Sequence, residues 1–204
     1  MNVQAIANIA QGFSTQAGDR LPLMPMKDMT TAQRDAAQAL IDGPRKAVFG
    51  PFIPLLRSPV LMERVGKLGE YLRFESVLDV RIRELATCMA SRHVTNQFEW
   101  LMHAPLALKA GVGRTVIDDI ASGRRPRGMK ADETTAFDFV SEMLQNNGVS
   151  TVSFVEAKAA FGEQGVVELA TLTGYFVMVS WVMNVARTPF PGTGDTPSLT
   201  PFPA

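Results

Sequence analysis

Most of the residues that could do chemistry fall in one short stretch, residues 81–113, RIRELATCMASRHVTNQFEWLMHAPLALKAGVG. It holds both histidines of the chain, His93 and His103, the lone cysteine, Cys88, and the glutamates Glu84 and Glu99. Glu99 and His103 stand at i and i+4, so on a helix they share one face. Glu84 lies upstream, with 11 residues between it and Asn96 and 18 between it and His103. The stretch reads as two consecutive helices. A hairpin that brings Glu84, Glu99 and His103 together could make a small acid–base centre. Histidine titrates near neutral pH, and a carboxylate neighbour favours its charged form. Glu99 could orient His103 or transfer a proton itself. The plainer alternatives are a Glu84 paired with Arg81 or Arg83, a Glu99–His103 surface pair, and a His103 satisfied by a backbone carbonyl.

Other residues are candidates for holding a substrate. Asn96 either hydrogen-bonds a ligand or caps a helix. His93 lines a pocket or caps the helix that carries Glu84. Arg92 holds a substrate carboxylate or makes a surface ion pair. Trp100 and Tyr175 are apolar bodies with one polar tip, suited to the core or to a pocket floor. Cys88, a lone thiol one turn from Glu84, reads as a packing residue. The cluster Arg124, Arg125, Arg127 and Lys130 is a solvated loop or a means of steering an anion. Glu84, His93, Glu99 and His103 are suitable ligand types for a metal in a helical bundle. The duplicated Glu-x-x-His motif of di-iron bundles is absent, so neither a metal nor a cofactor is expected.

Over these residues the sequence resembles the alkylhydroperoxidase D and carboxymuconolactone decarboxylase superfamily. The peroxidase branch reads Glu, eleven residues, Cys, two residues, Cys, three residues, His. Glu84 and His103 match its two ends, while Asn96 and Glu99 stand where its cysteines would be. The decarboxylase branch has a Glu four residues before the His, as Glu99 precedes His103. The phrases QFEWLMHAPLALKAGV and FGEQGVVELATLTGYFVMVSWVMN resemble it too, and the similarity spans roughly residues 21–191. The resemblance implies an all-α, alkylhydroperoxidase D-like helical bundle in a closed homo-oligomer, a trimer or hexamer before a dimer. It implies a cofactor-independent lyase of aromatic compound catabolism acting on a carboxylated lactone, or an isomerase or hydratase using the same groups. Glu84, Glu99 and His103 would be catalytic. Asn96, His93, Arg92, Trp100 and Tyr175 would bind substrate. A dithiol peroxidase is disfavoured by the missing cysteines, and a non-catalytic binding or assembly protein is the third alternative.

The composition is that of an ordinary soluble globule. Of 204 residues, 46% are apolar and 20% charged, and the formal net charge is zero. No nucleic-acid or membrane partner is expected. One cysteine allows neither an internal disulfide nor a CxxC pair, which suits a cytoplasmic setting, and the first residues make a poor secretion signal. Three parts are expected: a tail or docking helix over residues 1–20, a helical domain over 21–190, and a proline-rich tail over 191–204. That last tail should lack regular structure unless it lies across a neighbouring subunit.

Periodicity and capping signals divide the domain into helices. Thr30 and Gln33 form a capping box for a helix to about Asp42. A Pro/Gly-rich loop follows. Ser58-Pro59 opens the next helix, with Leu61, Val65, Leu68 and Leu72 as its buried stripe. Asp79 caps the Glu84 helix, whose apolar face is Ile82, Leu85, Ala86 and Met89. Thr95 caps the His103 helix, which ends near Gly111. Further helices are expected over about 114–121, 131–147, 151–161 and 164–186. The apolar stretch of the last is shorter than a membrane span.

Overall fold

The computed structural model describes residues 11–12, 18–190 and 196–200. Most of the proposed N-terminal docking helix and part of the C-terminal tail therefore lie outside the described residues. Among those described, the chain is all-helical, without an extended strand. The helices are α1 (Thr31–Asp42), α2 (Phe52–Leu55), α3 (Pro59–Glu70), α4 (Val80–His93), α5 (Gln97–Ala110), α6 (Arg114–Ala121), α7 (Ala131–Asn146) and α8 (Thr151–Ala186). A single π-type turn, Tyr71–Glu75, extends α3.

Local chemistry sets the helix ends. The Thr30–Gln33 capping box forms, Pro59 sits at the first position of α3, and the Asp79 side chain accepts the Arg81 N–H. Two expectations are corrected. Asn96, not Thr95, caps α5; Thr95 instead takes a positive φ of 48° in the turn between the helices. The buried face of α3 is Met62, Val65, Gly66 and Gly69, continued by Leu72, whereas Leu61 and Leu68 are exposed. The stripe is shifted because two glycines belong to it. Large side chains from elsewhere, Phe52 at Gly66 and Tyr175 at Gly69, fill the space a side chain would have taken.

Helix α4 lies at the centre, packed against α5, α7 and α8. Its expected face, Ile82, Leu85, Ala86 and Met89, is buried, and so are Thr87, Cys88 and Ala90. The separate helices expected over 151–161 and 164–186 are both present, joined within α8 by a kink at Gly162, whose φ of 72° and ψ of 174° favour glycine. By length and composition α8 could cross a membrane, but 61% of its most apolar window is buried inside the fold, and no membrane is indicated. Its outer face is Val167, Thr171, Gly174, Met178, Trp181 and Val185. These positions alternate steps of four and three, an uncharged seam of coiled-coil spacing. Phe176 and Met183 point into the chain's own core.

Glu168 ties α8 to the π-turn. Its carboxylate accepts the Tyr71 hydroxyl at 2.5 Å, the Ser76 hydroxyl at 2.6 Å, the Val77 N–H at 2.9 Å and the Gln164 amide at 2.8 Å. Burial alone would raise its pKa; the four donors outweigh burial and lower it to about 2. A depressed carboxylate pKa stabilises the fold above the unfolded value, here about 4.5, and the gain is lost as pH falls toward 2. The difference corresponds to about 3 kcal/mol. Glu168→Gln should therefore lower the melting temperature at pH 7 and flatten its decline between about pH 4.5 and 2. Calorimetry over that range checks this; parallel wild-type and variant curves would contradict it.

The basic loop after α6 is stitched to acidic partners. Asp119, buried at the end of α6, accepts from Arg124 at 2.9 Å and from the Arg127 backbone at 3.1 Å. Arg125 pairs with Asp138. At the other end of the chain, residues 196–200 lie across the chain's own α4–α5 hairpin. Gln97 donates to the Leu199 carbonyl at 2.7 Å and accepts its N–H at 2.9 Å, and the Trp100 indole donates to Pro197 at 2.9 Å.

Candidate active site

The α4–α5 hairpin brings Glu84 and His103 into contact. His103 Nδ1 donates to Glu84 Oε2 at 2.6 Å, and its Nε2 lies 3.3 Å from Glu99 Oε2. The imidazole is buried, with 4% of His103 exposed. Burial by itself would push its pKa down. Hydrogen bonds to Glu84 and Glu99, reinforced by both charges, overcome that and raise it to about 9. Both ring nitrogens donate in this arrangement, which requires the imidazolium at neutral pH. The edge of the ring packs on Phe176 of α8, with centroids 4.9 Å apart.

The Nε2 side of this triad opens into a cavity of about 80 Å³ lined by Glu99, His103, Tyr175, Phe176, Arg45 and Arg73 among others. That volume is about that of three waters at roughly 30 Å³ each. Glu84 does not line it. Glu84 therefore stands behind the imidazole, with Glu99 and Nε2 in front. Tyr175 is kept neutral, its phenol pKa raised to about 12 by burial despite Arg45 beside it. Gly69 is required by this wall, since a Cβ there would stand 2.2 Å from the Tyr175 hydroxyl.

Residues 59–142 match the model of the carboxymuconolactone decarboxylase family, a segment that contains Glu84, Glu99 and His103. The fold is similar to the alkylhydroperoxidase AhpD core of an uncharacterised peroxidase-related protein from Ralstonia eutropha JMP134, with a TM-score of 0.70 at 15% identity over 85% of this chain and 92% of that one. It is also similar to a protein of unknown function from Agrobacterium tumefaciens grouped with the antioxidant defence protein AhpD, with a TM-score of 0.59 at 18% identity over 68% of this chain and 95% of that one. The chain thus carries a carboxymuconolactone decarboxylase-like segment within an AhpD-like fold. At these identities the two structures show the fold alone. No curated protein matches the chain.

The other residues singled out in the sequence are dispersed. Asn96 is fully buried and away from the cavity. Its Oδ1 accepts the Glu99 N–H at 2.9 Å, and its Nδ2 donates to the Ser180 carbonyl and to Asn184 Oδ1 at 3.2 and 2.8 Å. It fixes the start of α5, and so the position of Glu99, with no donor left for a ligand. Trp100 is buried beneath the C-terminal strap. Arg92 and His93 line a different cleft, of about 530 Å³, between α4, α7 and the basic loop. Burial lowers the His93 pKa, and Arg92 donates to the Thr200 carbonyl. Cys88 is fully buried, and burial raises its pKa well above the ordinary thiol value, with the Glu84 charge adding to this. Among the described residues no group of three or more His, Cys, Asp or Glu side chains is arranged to hold a metal ion.

Arg45 and Arg73 were not singled out in the sequence. Arg45 comes from the Pro/Gly-rich loop before α2 and Arg73 from the π-turn, and neither sits in a motif. Only the tertiary fold brings them to the cavity beside His103.

Proposed function

We propose that the chain is a carboxymuconolactone decarboxylase-like enzyme that uses His103 as general acid on a small carboxylated lactone. The observation that carries this reading is the buried imidazolium, held from behind by Glu84 and facing a small cavity beside Glu99. In the proposed step the bond from the ring carbon to the substrate carboxylate breaks. Its electron pair passes into the conjugated lactone as a dienolate, and carbon dioxide leaves. His103 gives the Nε2 proton to carbon, becoming neutral, and is reprotonated through Glu99. Tyr175, a neutral phenol at the cavity wall, is placed to donate to the enolate oxygen. No cofactor enters this scheme, and the same groups would serve an isomerisation. Release of carbon dioxide from carboxymuconolactone by the purified protein tests the reading. Peroxide consumption with an external thiol, with the lactone left intact, would replace it by a peroxidase function. Such a function would have to use Cys88, which the fold holds as a buried thiol.

A homo-oligomer belongs to the same proposal, as does a cytoplasmic setting. The uncharged seam on α8 supports it: Val167 and Val185 are each 65% exposed and Trp181 58%. A second copy of α8 would cover these side chains, with Thr171 and Gly174 allowing close approach. Light scattering should return a multiple of 22.2 kDa, and Trp181→Glu should shift it toward the monomer. A wild-type monomer at micromolar concentration would contradict this.

A further inference from the structure

The cavity in front of His103 has a charge balance that the acid–base triad does not explain. Beyond the His103 imidazolium, which Glu84 and Glu99 balance, its wall carries two arginines, Arg45 and Arg73. The Arg45 guanidinium lies 4.6 Å over the Phe52 ring and gives one N–H to the Gly66 carbonyl at 3.1 Å. Its Nε is buried and has no hydrogen-bond partner among the described residues. Buried donors are nearly always satisfied. Arg73 approaches the same cavity, and the two like charges disfavour each other, with Glu70 offsetting part of the Arg45 charge. Two cations converging on one cavity is a costly arrangement unless an anion lies between them. A guanidinium fork matches the planar geometry of a carboxylate.

We propose that Arg45 and Arg73 form an anion subsite that holds a substrate carboxylate and directs the rest of the molecule toward His103 and Tyr175. This rests on the acid–base reading above and adds the orientation of the substrate. A carboxylate held by two guanidiniums is stabilised as the charged ground state, which opposes its loss. The anchored group is therefore one that stays on the substrate. The cavity's size limits that end of the ligand to a small ring or chain, the remainder projecting past Phe49 and Met102 at the wall.

Calorimetric titration of the full chain with 2-furoate and with its uncharged amide, 2-furamide, tests the subsite. Furoate should bind about tenfold more tightly or better, the range of one charge-assisted hydrogen bond. Arg45→Met and Arg73→Met should each remove most of that preference while leaving furamide within about twofold. Should Arg45→Met fail to fold by circular dichroism, Arg45→Lys serves instead, keeping the charge while losing the fork, with a smaller loss expected. Equal affinity for the two probes, no furoate binding at millimolar concentration, or an unchanged preference in the arginine variants would overturn the proposal. His103→Gln separates it from the catalytic reading. If this variant and the wild type both prefer furoate but the wild type turns over no lactone, the acid–base reading fails and the subsite stands. If lactone is turned over yet the arginines do not matter, only the subsite falls.

Discussion

His103→Ala is expected to lower turnover of carboxymuconolactone by about a hundred- to ten-thousandfold, the usual range for a general acid–base group. The helical signal should persist at room temperature. The melting temperature should fall as well, because the change leaves Glu84 and Glu99 facing each other in a buried site. Breaking a buried ion pair from one side typically costs about 3–5 kcal/mol. His103→Gln keeps a donor there and should recover part of the stability but none of the turnover. That pattern distinguishes proton transfer from a scaffold role. A loss of only about twofold in either variant would remove His103 from the mechanism. Cys88 provides the contrast, since a buried, protonated thiol has no step to perform.

Glu84→Gln should act at a distance from the substrate. The carboxylate does not line the cavity, so its loss reaches the chemistry through the imidazole. The raised His103 pKa, about 9, depends on hydrogen bonds to both glutamates. Without the Glu84 charge it should fall toward or below the ordinary value of 6.5, because burial is then opposed by Glu99 alone. His103 would be largely neutral at pH 7.5, and turnover should drop while its alkaline limit moves to lower pH. Ring nitrogen chemical shifts read the same pKa without any substrate. The stability linkage has a definite sign. A histidine pKa raised in the folded state stabilises fully below about 6.5, and that gain is lost as pH rises through about 9. The wild type should therefore lose stability across that window and Glu84→Gln should lose less. An unchanged His103 titration in the variant would end this account.

The triad was legible in the sequence because its members lie within twenty residues on two consecutive helices. The i, i+4 relation of Glu99 and His103 is a property of any helix, and a short turn then leaves α4 few ways to pack on α5. The rest of the wall was hidden for the opposite reason. Arg45, Arg73 and Tyr175 come from three separate elements, and no local rule joins them. Gly69 gave no signal either, since a glycine in a helix reads as a weak position until the phenol filling its place is seen. The misassigned stripe of α3 has the same origin. Asn96 and Thr95 are both good capping residues, adjacent in sequence, and the choice between them was made by Ser180 and Asn184 of a distant helix. Arg92 and His93 were drawn into the candidate site by their nearness along the chain, but at the C-terminal end of α4 they line a different cleft.

The strap over residues 196–200 bears on the order in which the molecule is assembled. Its bonds to Gln97 join residues 102 positions apart, and the one to Arg92 spans 108. Contacts of such separation carry a large loop-closure entropy until the intervening chain is already compact. The α4–α5 hairpin, closed by a turn of a few residues, has no such delay. During refolding the Glu84–His103–Glu99 cluster can thus form before the Trp100 indole is covered by Pro197. That indole reports the last stage of folding from within the element that forms among the first.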